Sequence, residues 1–193
     1  SSRNDISILG ISDNYLYFTA SDPATGRELY RTDGTPAGTI LLKDINPGTT
    51  DGFRGYQQIV GDQLFFAGND GTHGTELWKT DGSSAGTVMV LDINPGSANG
   101  FPSNDIIEYN TPQNRTYAFN GEFYFRGNSP DTGMEPWVSD GTPEGTRPID
   151  INVGPEDSGP VQYGVANDGL LYFLIFSTEA YDYSGNLYKT AGS

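Results

Sequence analysis

One segment occurs three times in this chain, and it constrains the fold more than any other feature. Residues 28–48 read ELYRTDGTPAGTILLKDINPG, residues 76–96 read ELWKTDGSSAGTVMVLDINPG, and residues 135–154 read EPWVSDGTPEGTRPIDINVG. A fourth, shortened copy, NLYKTAGS, starts at Asn186. Each copy follows a segment of the same kind: NYLYFTASDPATGR from Asn14, DQLFFAGNDGTHGT from Asp62, GEFYFRGNSPDTGM from Gly121 and GLLYFLIFSTEAYDYSG from Gly169. Leu16 to Leu64 is 48 residues, Leu64 to Phe123 is 59, and Phe123 to Leu171 is 48 again. The long interval carries an insertion around Asn110–Thr116.

Within a unit the pattern is that of strands. LYFTA, LFFAG, FYFRG and LLYFLIF are rich in aromatic and aliphatic residues, and ELYRT, ELWKT, EPWVS and NLYKT alternate polar with apolar. TILLKDI and TVMVLDI supply a further strand, and YQQIV and DISILGI another. TDGT, NPG and NDG punctuate them with turn chemistry. No window has helical periodicity with caps. Short strands in fours, repeated in register, are the mark of β-propeller blades. The expectation is an all-β chain forming one small β-propeller domain over 1–193, with four blades at approximately 6–53, 54–101, 102–160 and 161–193. The last unit is one strand short. Pairing the N-terminal strand Asp5–Ile11 with the C-terminal strand Asn186–Thr190 would close the ring and cover both edges.

The segments ELYRTDGTPAGT, ELWKTDGSSAGT and EPWVSDGTPEGT, with the DINPG that follows, resemble the ELWxxDGT repeat family over essentially the whole chain. The resemblance implies a β-propeller-like fold and a secreted or cell-surface bacterial protein, and it implies no particular chemistry. The fourth copy departs from the pattern, with Asn186 in place of Glu and Ala191 in place of the turn Asp.

Composition narrows the function classes. The 193 residues hold 10 Lys+Arg against 25 Asp+Glu, a net charge of −15, which disfavours nucleic acid and anionic membrane surfaces as partners. There is no Cys, so disulfides, thiolate metal sites and thiol nucleophiles are excluded. The longest apolar run, Leu170–Phe176, is strand-sized, so no membrane insertion is expected. His73 is the single histidine, and no GxSxG elbow accompanies it. The seven arginines are scattered, and no SxDxGxxW box occurs.

Two sets of residues are candidates for chemistry. The loops 21–28, 69–76 and 128–135 each offer an Asp and a Glu at short spacing: Asp22 with Glu28, Asp70 with Glu76, and Asp131 with Glu135. Oxygen donors of this kind suit Ca²⁺, the one cofactor the chain suggests. The competing reading is that acids copied with every unit are turn scaffolding, an Asp before Gly-Thr accepting turn N–H groups. Tyr30, Trp78 and Trp137 share one repeat position, where they either pack between blades or present rings to sugars, and Tyr181 and Tyr183 sit in an irregular loop of the last unit. Asn114-Arg115-Thr116, inside the insertion, is a glycosylation sequon. These features suggest a non-catalytic extracellular binding or adhesion module for a glycan or protein ligand, as monomer or homo-oligomer. The alternatives are an ion or small ligand in a central tunnel, a carbohydrate-active enzyme, and a self-assembling structural subunit.

Overall fold

The computed structural model describes residues 5–101, 116–149, 151, 153–158, 161–166, 168–176 and 185–190. Tyr181, Tyr183 and Asn114 lie outside these residues. Every described element is a strand, and the strands form four antiparallel sheets, each built in chain order. The first sheet holds β1 (Ser7–Ile11), β2 (Leu16–Asp22), β3 (Gly26–Thr32) and β4 (Ile40–Lys43). The second holds β5 (Phe53–Val60), β6 (Gln63–Asn69), β7 (Thr75–Thr80) and β8 (Val88–Leu91). The third holds β9 (Thr116–Phe119), β10 (Glu122–Ser129), β11 (Gly133–Ser139) and β12 (Arg147–Pro148). The fourth holds β13 (Val161–Val165), β14 (Leu171–Phe176) and β15 (Gly185–Thr190). Four blade-like sheets, the last with three described strands, follow the repeat. The chain divides into two compact units, Ser1–Asn99 with the first two sheets and Gly100–Ser193 with the other two.

Among the described residues the expected closing strand pair is not formed. β1 pairs with β2, from Ser7 opposite Thr19 to Ile11 opposite Leu16, while β15 pairs with β14. The physical reason is local. Ser12 N–H donates to the Tyr15 carbonyl at 2.9 Å, and Tyr15 N–H donates to Ser12 Oγ at 3.3 Å. That tight turn brings β1 onto β2 at little loop-closure entropy, whereas a terminus-to-terminus pair would have to close the whole chain.

Within the first unit, Tyr17, Leu29 and Leu42 of the first sheet cluster with Leu64, Phe66 and Trp78 of the second. Successive strand residues point to opposite faces, so the Tyr17 face of one sheet meets the Phe66 face of the next. Lys43 ties the two sheets together: its Nζ donates to the Thr87 carbonyl at 3.0 Å and stands 5.6 Å from the Trp78 ring centroid. The second unit repeats the arrangement, with Tyr124 and Val138 of the third sheet clustered with Leu171, Phe173 and Ile175 of the fourth. In β6 the run Leu64–Gly68 is buried on both faces, as in a strand with cover on each side.

Candidate functional site

The repeated acids divide into three structural devices, each present in the first three sheets. The first is the TDGT turn. In the first sheet Asp33 Oδ1 accepts from Thr35 N–H at 2.9 Å and from Thr35 Oγ1 at 2.7 Å. Thr35 Oγ1 in turn accepts from Gly38 N–H at 3.0 Å, and Thr39 Oγ1 donates to the Thr35 carbonyl at 2.7 Å. Asp81 with Ser83, Gly86 and Thr87 reproduces the network, as does Asp140 with Thr142, Gly145 and Thr146. A Cβ on Gly38, Gly86 or Gly145 would overlap the turn carboxylate, which is why each copy keeps DG, then Thr or Ser, two variable residues and GT. The hydroxyl of Thr35 is the main reason the Asp33 carboxyl titrates below its usual range, and Ser83 does the same for Asp81.

The second device uses the glutamate that opens each repeat. Glu28 is 0% exposed, and its carboxylate accepts from Ile45 N–H at 3.3 Å and from Gly52 N–H at 2.8 Å. Glu76 accepts from Ile93 N–H at 2.8 Å and Glu135 from Ile151 N–H at 3.2 Å. Each glutamate thus reaches under the Asp-Ile loop of its own unit, 16 or 17 residues ahead, and holds that loop to the sheet.

The third device escaped the sequence reading. Arg27 N–H donates to Asp51 Oδ1, Thr75 N–H to Asn99 Oδ1 and Met134 N–H to Asp157 Oδ1, each at 2.8 Å. The spacings are 24, 24 and 23 residues. The detectable signal is an Asp or Asn followed by Gly or Ser at that fixed distance: Asp51-Gly52, Asn99-Gly100, Asp157-Ser158. These side chains tie the loop between sheets to the start of β3, β7 or β11. Gly26, Gly74 and Gly133 let the two pass closely, since a Cβ there would strike the backbone of Thr50, Ala98 or Pro155.

Burial is the chief influence on Glu28. It pushes the carboxyl from 4.5 to about 7, against the two N–H donors, and Asp44 beside it adds to the rise. The folded protein therefore keeps a proton that the unfolded chain has released. Between pH 4.5 and about 7 the folded state binds more protons, so stability falls as pH rises across that window, by up to about 3 kcal/mol. Asp33, Asp70 and Asp81 act oppositely, because their lowered values make stability fall as pH drops through the acid range. Chemical denaturation across pH is expected to place the maximum below neutrality. Glu28→Gln should flatten the limb above pH 4.5 and leave the acid limb in place.

The acids expected to bind calcium do not assemble as donors. Glu28, Glu76 and Glu135 face inward onto loop amides. Asp22 Oδ1 accepts from Ala24 N–H at 2.7 Å within its own hairpin, and Asp131 is exposed on the equivalent hairpin. Asp70 Oδ1 accepts from Thr72 and His73 N–H, both at 2.9 Å, while its Oδ2 pairs with His73 Nδ1 at 2.7 Å. Burial raises the Asp70 carboxyl, but these His73 and Thr72 bonds outweigh it and the net shift is down; the bond to Asp70 raises the imidazole. Among the described residues no group of three or more His, Cys, Asp or Glu is placed to hold a metal ion.

The expected sugar platform is also altered. Trp78 and Trp137 are each 5% exposed. Their indoles lie over Gly68 and Gly127, where a Cβ would approach ring atoms to 2.8 and 2.7 Å. Trp78 packs in the core between the first and second sheets, and for both indoles the glycine on the neighbouring strand makes a slot for the ring. Tyr30 is half-buried and stacks on Phe18, centroids 5.4 Å apart. What remains for recognition is the hairpin of each sheet, around Asp22, Asp70 and Asp131, tied to the loop that follows that sheet.

No family model matches the chain, and no curated protein matches it in sequence. Among solved structures it is similar to a puromycin hydrolase S511A mutant complexed with PGG, at 15% identity and a TM-score of 0.50, over 89% of this chain and 26% of that one. The chain thus spans about a quarter of that hydrolase's length. It is also similar to an endo-arabinase from Bacteroides thetaiotaomicron VPI-5482, at 13% identity and a TM-score of 0.38, over 96% of this chain and 74% of that one. A thermostable family-43 glycoside hydrolase matches at 15% identity and a TM-score of 0.36, over 92% and 68% of the two chains. At these identities the first likeness concerns the arrangement of strands alone.

Proposed function

We propose that this chain is a non-catalytic binding module of the cell exterior, built of four propeller-type blades whose hairpins are presented to a glycan. One observation carries the reading. In three sheets the hairpin and the following loop are joined by both a buried glutamate and an Asp or Asn clip. Loops held in one conformation lose little entropy when they meet a ligand, which is the condition a rigid recognition surface needs. The repeated acids are spent on that rigidity, and the hairpin acids Asp22, Asp70 and Asp131, one to a sheet, are oxygen acceptors suited to sugar hydroxyls. The resemblance to secreted repeat proteins supports an exterior location.

The test is a glycan array probed with the chain and with Asp22→Ala, Asp70→Ala and Asp131→Ala. Retention on a defined saccharide class, weakened tenfold or more by at least one substitution at unchanged melting temperature, is the expected result. No retention on any saccharide, or retention indifferent to all three, overturns the reading. Running the array with calcium and with EDTA separates a calcium-assisted contact from a direct one.

A further inference from the structure

The three loop clips are built alike but not from the same residue. Asp51 and Asp157 close two of them with a carboxylate, and Asn99 closes the third with an amide, Thr75 N–H donating to its Oδ1 at 2.8 Å. Among the described residues the Nδ2 of Asn99 has no acceptor. The residue after it is Gly100, which has no Cβ to keep its backbone nitrogen from the Asn99 Cγ. An amide can lose ammonia to that nitrogen, whereas an ionised carboxylate has no comparable leaving group. The Thr75 N–H bears on this reaction directly. Attack on Cγ moves charge onto Oδ1, and a backbone N–H 2.8 Å from that oxygen is placed to stabilise it, as oxyanion-hole donors are.

The sequence has one other Asn-Gly pair, Asn120-Gly121, and it supplies the contrast. That pair is the two-residue turn between β9 and β10, with Phe119 opposite Glu122 and φ of +50° and +82°. Positive φ at both places marks a type I′ turn. In that left-handed conformation the Gly121 nitrogen points away from the Asn120 side chain, so a five-membered ring cannot close without unmaking the turn. Asn99 lies outside the left-handed region.

We propose that Asn99-Gly100 is a self-modification site, at which water converts the clip amide to a carboxylate. The Gly100 nitrogen adds to Asn99 Cγ as it gives up its proton. The Cγ–Nδ2 bond breaks, and Nδ2 leaves as ammonia carrying that proton. Water then opens the cyclic imide. Breaking the new N–Cγ bond restores the peptide with aspartate at 99, and breaking the original peptide N–C bond leaves isoaspartate. The aspartate product has the clip that Asp51 and Asp157 already form, so Thr75 keeps its acceptor. In the isoaspartate product the main chain runs through Cβ and Cγ. Its free carboxylate sits on Cα, one carbon short of where the Thr75 N–H is met. The site thus yields a tied and an untied form of the hairpin between β6 and β7.

The test is peptide mapping by mass spectrometry of the whole chain held in mildly alkaline buffer, folded and in urea. In urea both Asn99 and Asn120 are expected to convert. In the folded chain Asn99 should convert about tenfold faster than Asn120, or more. An Asn99 that stays an amide in the folded chain while it converts in urea overturns the proposal, as does one that converts no faster than Asn120. Asn99→Asp is expected to keep the melting temperature and the slow amide exchange of Thr75. The isoaspartate fraction should exchange at Thr75 about tenfold faster. Loss of Thr75 protection in Asn99→Asp, or its retention in the isoaspartate fraction, would contradict the assignment of tied and untied forms.

Discussion

Glu28→Ala is expected to destabilise the protein by about 2–4 kcal/mol at neutral pH, measured by denaturant unfolding. The Ile45 N–H loses its acceptor in a place that water does not reach readily, and the Gly52 N–H keeps only its 3.2 Å bond to the Arg27 carbonyl. An orphaned buried donor costs about 1–3 kcal/mol, and the loss is offset in part because burying the carboxylate was itself unfavourable. Glu28→Gln should cost much less at neutral pH, close to nothing, because the amide keeps one acceptor oxygen and, unlike the carboxylate, carries no charge to be buried. If the glutamate were a surface ligand for a cation, Glu28→Ala would be nearly neutral in EDTA.

Gly74→Ala is the second large effect, about 3 kcal/mol or more. Gly74 has φ of +75°, a conformation that costs an alanine about 1–2 kcal/mol. Its Cβ would also overlap the Ala98 carbonyl, which belongs to the loop clipped by Asn99. Gly61→Ala is the control: φ there is +57°, but no atom lies within 4 Å of the added methyl. Its cost should be the strain alone, about 1 kcal/mol. Equal losses at the two sites would mean that the loop passes farther from the hairpin than this packing requires.

Much of the fold was legible because a repeat shows its period directly. ELWKT and LFFAG read as strands from residue type, and β7 and β6 fall on them. The DG turns read as carboxylate-capped, as Asp33, Asp81 and Asp140 are. The terminal pairing is not legible from edge coverage alone, because the short turn at Ser12 pairs β1 with β2 instead. The glutamates were ambiguous for a deeper reason. A carboxylate copied in every unit suits a cation or a backbone amide equally, and only the partner 16 or 17 residues ahead decides. The role of Asp51, Asn99 and Asp157 was hidden because loop residues carry no periodicity, and their signal lies in a distance rather than a motif. The sequence of Trp78 and Trp137 suits packing and display equally, and it is the slots at Gly68 and Gly127 that distinguish them.

Backbone amide exchange at Ile45, Ile93 and Ile151 tests most directly whether the repeated acids are scaffold. Slow exchange is expected at all three, equal with calcium and with EDTA, with loss of protection at Ile45 alone in Glu28→Ala. Exchange at the rate of open loops in EDTA, with protection appearing only when calcium is added, would contradict it.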